Sequence, residues 1–130
     1  AAWAGNSFEQ VCKDHLWQIR RALGINGVLS NASSWKGQFD GNGAQIDLVI
    51  ERRDRVIDIC EAKYSIDEYI IDKEYESRLR NKISVFKAAT KTKSAVQLVM
   101  ITTFGVKQNS HSGIVSANVT MNHLFAPAEW

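Results

Sequence analysis

The chain has 130 residues, 45% of them hydrophobic and four of them Trp, which suits one domain with its own core and argues against disorder. Sixteen basic residues against fourteen acidic ones leave a formal net charge of +2, too small to indicate a nucleic-acid partner by itself. No apolar run reaches membrane-spanning length and AAWAGNSFEQ lacks the regions of a signal peptide, so a soluble, cytoplasmic protein with no membrane partner is expected.

Asn6 and Ser7 are good helix N-caps, Ser7 and Gln10 have capping-box spacing, and Trp3 is placed to staple the first turn. Phe8, Val11, Cys12, Leu16, Ile19, Ala22 and Leu23 then fall on one arc at helical spacing, with Gly24 as the stop and Trp17 on the opposite side. A short strand is expected around Gly27 to Ser30, followed by a flexible approach through Gly37, Gly41 and Gly43. That approach has no phosphate-loop pattern, so ATP hydrolysis is not expected in these residues.

Two runs of apolar/polar alternation, Gln45 to Glu51 and Val56 to Tyr64, flank the polar break Arg52-Arg53-Asp54-Arg55 and predict an antiparallel hairpin. Strict alternation places Ile46, Leu48 and Ile50 on one face with Gln45, Asp47 and Val49 on the other. In the second strand Ile57, Ile59, Glu61 and Lys63 fall together. Asp72 can cap a helix to about Thr90, with Tyr75, Leu79, Ile83, Phe86 and Ala89 as its core stripe and Arg78 and Lys82 within or beside that stripe. AVQLVMITTF, Ala95 to Phe104, reads as a strand covered on both faces and is expected at the sheet centre. Ile114 to Val119 is a last strand candidate, and Thr120 can cap a terminal turn. The order α-β-β-β-α-β-β implies an α/β domain: a mixed sheet of about five strands with helices on both faces and the long helix joining parallel neighbours.

Asp47, Glu61 and Lys63 are charges at positions that should be half-buried, where they are costly unless they neutralise one another or hold an ion. Two carboxylates with a fixed cation beside them make a hard-oxygen site suited to Mg²⁺ or Mn²⁺, which take one or two carboxylates and leave positions for water and a substrate phosphate. The Ala62 carbonyl and the Glu9 carboxylate are further candidate ligands, and Lys63 can stabilise charge developing at phosphorus. Lys73, Arg78, Arg80 and Lys82 concentrate positive charge on the second helix and are the candidate nucleic-acid contacts. Cys12 and Cys60 have no zinc-ligand spacing and read as reduced core thiols. His15, His111 and His123 lack paired ligand spacing too.

Asp47 followed by Glu61-Ala62-Lys63 across a hairpin, after a helix bearing Glu9 and before a basic helix, resembles the PD-(D/E)xK nuclease superfamily, also called restriction-endonuclease-like. The likeness covers nearly the whole chain. GNGAQIDLVIERRDRVIDICEAKYS with YESRLRNKISVFKAATKTKSAVQLVMITTFGV is similar to the C-terminal domain that follows the ATP-binding module in a group of bacterial and archaeal AAA-like ATPases. The resemblance implies a single nuclease-like domain over 1–130, excised from the C-terminus of a longer ATPase, as the missing initiating Met also suggests. It implies a magnesium-dependent hydrolase cutting phosphodiester bonds, with DNA as substrate, Asp47, Glu61 and Lys63 in the metal-binding and catalytic positions, Glu9 in the acidic position of the first helix, and Gln45 near the scissile phosphate. The family's Pro-Asp dipeptide is absent, Ile46 standing before Asp47. The competing expectation is an inactive nucleic-acid-binding or oligomerisation module that couples the ATPase to a partner, as a homo-oligomer or otherwise.

Overall fold

A computed structural model describes residues 2–127, with side chains described from residue 5 onward. The first amphipathic segment forms two helices, α1 (Ala2–Asp14) and α2 (Leu16–Ala22). Helix α1 begins before Asn6 and Ser7, which therefore lie inside it and do not cap it. The proposed staple from Trp3 lies outside the described side chains. The break falls at His15, whose backbone leaves the helical region (φ −123°, ψ 36°) while its ring Nδ1 sits 2.7 Å from the Val11 carbonyl oxygen. Gly24 ends the segment in the left-handed region at φ 72°.

Strand β1 (Ser30–Phe39) begins only at the last residue of the stretch expected to be a strand, Gly27 to Leu29 lying in turn and loop, and it runs on through the glycine-rich approach to form a hairpin with β2 (Asn42–Arg52). Only Asp40 and Gly41 separate the pair Phe39 and Asn42, and both have positive φ, 51° and 81°. Asp-Gly is the sequence that a two-residue turn of this kind requires, so this stretch is a tight hairpin and not a flexible approach. Strand β3 (Val56–Lys63) follows the Arg52–Arg55 break and pairs antiparallel with β2, as the alternation predicts. Helix α3 (Lys73–Thr90) starts where Asp72 accepts a hydrogen bond from the Tyr75 N–H at 2.7 Å. It crosses to β4 (Ala95–Thr102), parallel to β3, and β5 (Ala117–Thr120) adds in parallel beyond it. Thr120 precedes the short α4 (Met121–Leu124).

The sheet order is β1-β2-β3-β4-β5, so β3 is the central strand and β4, expected at the centre, lies one place out. Helices cover both faces. Phe8, Cys12 and Ile19 of α1 and α2 pack on Leu48, Ile50, Cys60, Val99 and Ile101, while Tyr75, Leu79 and Phe86 of α3 pack on Ile46, Val49, Ile57, Ile59 and Met100. Val85 joins the α3 stripe and Ala89 is exposed instead. No helix among the described residues is long and apolar enough to cross a membrane.

Strict alternation fails in β2. Opposite β1, Ser33 pairs with Val49 but Trp35 with Ile46, so three steps along β2 match two along β1, and β2 carries one extra residue at Asp47-Leu48. Ile46 is thereby turned into the α3-side core together with Val49, whereas Leu48 and Ile50 remain on the α1 side. A bulge of this kind re-aims the side chain at the inserted step, and here that side chain is Asp47.

Candidate active site

The β2–β3 ladder runs only from Leu48 and Cys60 to Glu51 and Ile57. Beyond Leu48 on one strand and Cys60 on the other the strands part, and the next residues at the fork are Asp47 and Glu61. A cleft of about 110 Å³ occupies the fork, lined by Glu9, Cys12 and Lys13 of α1, Asp47, Glu61, Ala62 and Lys63 of the strands, and Lys82 of α3. Every residue assigned to metal binding from the sequence, and all three charged catalytic candidates, Asp47, Glu61 and Lys63, thus line one concavity, whereas Gln45 does not.

Glu61 is buried at 8% exposure, and its Oε1 accepts a 2.8 Å hydrogen bond from Lys82 Nζ. Asp47 is half-buried and accepts from Nε2 of the exposed Gln45 at 3.3 Å, while Gln45 itself lines the adjoining groove. Lys63 Nζ stands 5.1 Å from the centre of the Tyr75 ring, which also carries the Arg78 guanidinium at 5.4 Å. A cation over an aromatic face is held by the ring quadrupole, so Tyr75 anchors Lys63 beside Glu61. Burial pushes the Glu9 carboxyl above its ordinary value, and the neighbouring Asp47 and, more weakly, Glu61 push it the same way against the opposing fields of Lys13 and Lys63. The three carboxylates share one electrostatic environment.

Among the described residues no group of three or more His, Cys, Asp or Glu side chains stands ready as a ligand cluster. The donors fit an ion that needs fewer protein ligands. Cys12 and Cys60 line the cleft, where burial raises the Cys12 thiol to about 12 and the Cys60 thiol well above its ordinary value, so in the metal-free protein both stay protonated. The carboxylate oxygens are the donor set that suits magnesium or manganese.

No protein-family model matches the chain, and no curated protein does. Among solved structures the chain is similar to the crystal structure of AF1548, a protein of unknown function. The TM-score is 0.56 at 16% sequence identity, over 86% of this chain and 56% of that one. That likeness shows the fold, an α/β arrangement of a mixed five-stranded sheet with helices. The chain spans little more than half the length of this neighbour.

The basic residues of α3 divide. Arg78 and Lys82 line a second groove with Gly43, Ala44, Gln45, Ser77 and Asn81, and Lys82 belongs to both this groove and the cleft. Arg80 instead points to Glu76 at 2.7 Å, and Glu76 also meets His111 at 2.8 Å. Lys73 is exposed at the start of α3 and lines neither cavity. Sequence reasoning missed Tyr75, taken only as a core residue, and the Lys82–Glu61 ion pair, which joins residues 21 positions apart. The signal for the pair was present in the wheel that set Lys82 at the margin of the core stripe.

Proposed function

We propose that this chain is a Mg²⁺- or Mn²⁺-dependent phosphodiesterase acting on nucleic acid, with DNA as the substrate class. The observation that carries this reading is the fork between β2 and β3, where a bulge turns Asp47 toward Glu9 and Glu61 in one cleft with Lys63 fixed beside them. Asp47 and Glu61 would hold the metal, with the Ala62 carbonyl and Glu9 as further oxygens, and the ion would supply Lewis-acid polarisation of the phosphate and a more acidic attacking water. Lys63, held on the Tyr75 ring, stabilises negative charge gathering on the phosphate oxygens and orients the attacking water. Gln45 positions Asp47 and meets the substrate from the adjoining groove. Arg78 and Lys82 flank the adjoining groove, where the strand's neighbouring phosphates would run. The resemblance to the C-terminal domains of AAA-like ATPases supports a setting in which an ATP-binding module of the same polypeptide, in the cytoplasm, presents DNA to this cleft.

The test is cleavage of supercoiled and linear DNA with Mg²⁺ or Mn²⁺. Asp47→Asn, Glu61→Gln and Lys63→Met should each reduce cleavage by about a hundredfold or more while leaving the fold intact. Activity retained in all three variants would eliminate the assignment. DNA binding that survives chelation without any cleavage would replace it with a binding module.

A further inference from the structure

The formal charges lining the cleft balance: Glu9, Asp47 and Glu61 against Lys13, Lys63 and Lys82. A dication entering such a site meets no excess of negative charge unless one of the lysines withdraws. The three lysines are not equivalent. Lys63 is held over the Tyr75 ring, and Lys13 is exposed on α1, whereas Lys82 hydrogen-bonds Glu61 Oε1 directly at 2.8 Å. Glu61 is the more buried of the two strand carboxylates, so its charge most needs a partner when no metal is present. Lys82 also lines the adjoining open groove with Gln45, Arg78 and Asn81, so its long side chain has a solvated place to go.

We propose that Lys82 is the resident counter-cation of Glu61, a positioning residue that occupies a metal ligand's oxygen until a divalent ion displaces it into the groove between β2 and α3. This rests on the reading of Asp47 and Glu61 as metal ligands. An ammonium and a dication on one carboxylate oxygen repel each other strongly, so the ion pair and the metal compete for Oε1. Metal affinity is therefore held down by the free energy of the Lys82–Glu61 pair, and the displaced ammonium becomes available to a phosphate in the groove only when metal is bound.

The experiment is Mn²⁺ binding measured by calorimetry on the intact chain, with thermal unfolding as a check that each variant folds. Lys82→Met should bind Mn²⁺ roughly tenfold more tightly than the wild type, the factor expected when a competing charged hydrogen bond is removed. Lys13→Met removes the same unit of charge from the cleft lining without freeing a ligand oxygen, and should change affinity by no more than about twofold. Lys82→Arg keeps the charge and the core margin filled, and should bind Mn²⁺ no more tightly than the wild type. Equal gains in Lys82→Met and Lys13→Met would overturn displacement in favour of a diffuse field effect, and so would an unchanged or weaker affinity in Lys82→Met. If neither the wild type nor Lys82→Met binds Mn²⁺, the metal reading itself fails and the proposal falls with it. That result is distinct from a wild type that binds and a variant that binds identically.

Discussion

Tyr75 and Asp58 show how single buried polar groups divide between site and scaffold. The Tyr75 hydroxyl is buried with no hydrogen-bond partner among the described residues, while its ring carries Lys63 and Arg78. Its usefulness thus lies in the ring face. Tyr75→Phe should leave stability unchanged or raise it by up to about 1 kcal/mol, since an unsatisfied buried hydroxyl is removed. Tyr75→Leu should lower stability by about 1–3 kcal/mol by losing aromatic volume and both cation contacts. Urea unfolding of the two variants checks the contrast, and a large loss in Tyr75→Phe would mean the hydroxyl has a partner after all. Asp58 lies under the β2–β3 turn, where Arg52 forks onto Asp54 at 2.7 and 3.0 Å and reaches Asp58 Oδ2 at 3.1 Å. The other carboxylate oxygen of Asp58 has no partner among the described residues, and burial raises its pKa above 3.8 despite the opposing hydrogen bond from Arg52. Between 3.8 and that raised value the unfolded chain has released the proton and the folded chain still holds it. Asp58 therefore makes stability fall as pH rises through this window and level off above it. The stability of Asp58→Asn relative to the wild type should rise with pH across the same window, measured by urea unfolding from pH 3 to 7, buffers chosen to bracket the carboxylate range. A difference that is flat in pH would mean that Asp58 ionises normally.

Among the strands, most of what was set by local chemistry was legible, and the irregularity set by pairing was not. Asp72 as the cap of α3, the alternation of β3 and the polar break between β2 and β3 stand where the sequence puts them, because each is set by residues a few positions apart. The Asp40-Gly41 turn was just as local, yet the glycines around it read as flexibility and hid a ten-residue strand. The bulge at Asp47-Leu48 had no local mark, since an inserted residue is visible only against the partner strand. The convergence of Asp47, Glu61 and Lys63 could be read from their positions near the hairpin, but the path by which Asp47 reaches Glu9 could not. Within β1, Gly37 carries a consequence of its own. The Trp35 indole lies across it, so that an added Cβ would stand 2.5 Å from a ring carbon, and the same indole packs edge-on against Phe86 of α3 at 5.1 Å. Gly37→Ala should force the indole off Phe86 and cost about 1–3 kcal/mol. Gly41→Ala, which strains only the turn, should cost about 1 kcal/mol. Thermal unfolding ranks the two, and near-UV circular dichroism of the tryptophan signal should change in Gly37→Ala alone.

The cleft joins three parts of the molecule, since α1 brings Glu9, the parted strands bring Asp47 and Glu61, and α3 brings Lys82. An ion bound there would tie α1, through Glu9, to the two parted strands in place of the Lys82 link from α3. A ligand that binds only the folded state stabilises it by about 1.4 kcal/mol at ten times its dissociation constant. For a domain of this size that corresponds to a rise in melting temperature of about 3–5 °C. Mn²⁺ should give such a rise in the wild type, and Asp47→Asn or Glu61→Gln should abolish it. Glu9 separates two roles by sign. Without metal its carboxylate is half-buried and repelled by Asp47 and Glu61, so Glu9→Gln should raise the melting temperature of the metal-free protein. If Glu9 is also a ligand, the same variant should gain less from Mn²⁺ than the wild type, and the two melting curves should approach one another as metal is added. An undiminished gain would make Glu9 an electrostatic neighbour only. A metal-free Glu9→Gln that is less stable than the wild type would show that Lys13 and Lys63 outweigh the carboxylates, leaving the cleft with little pull on a dication.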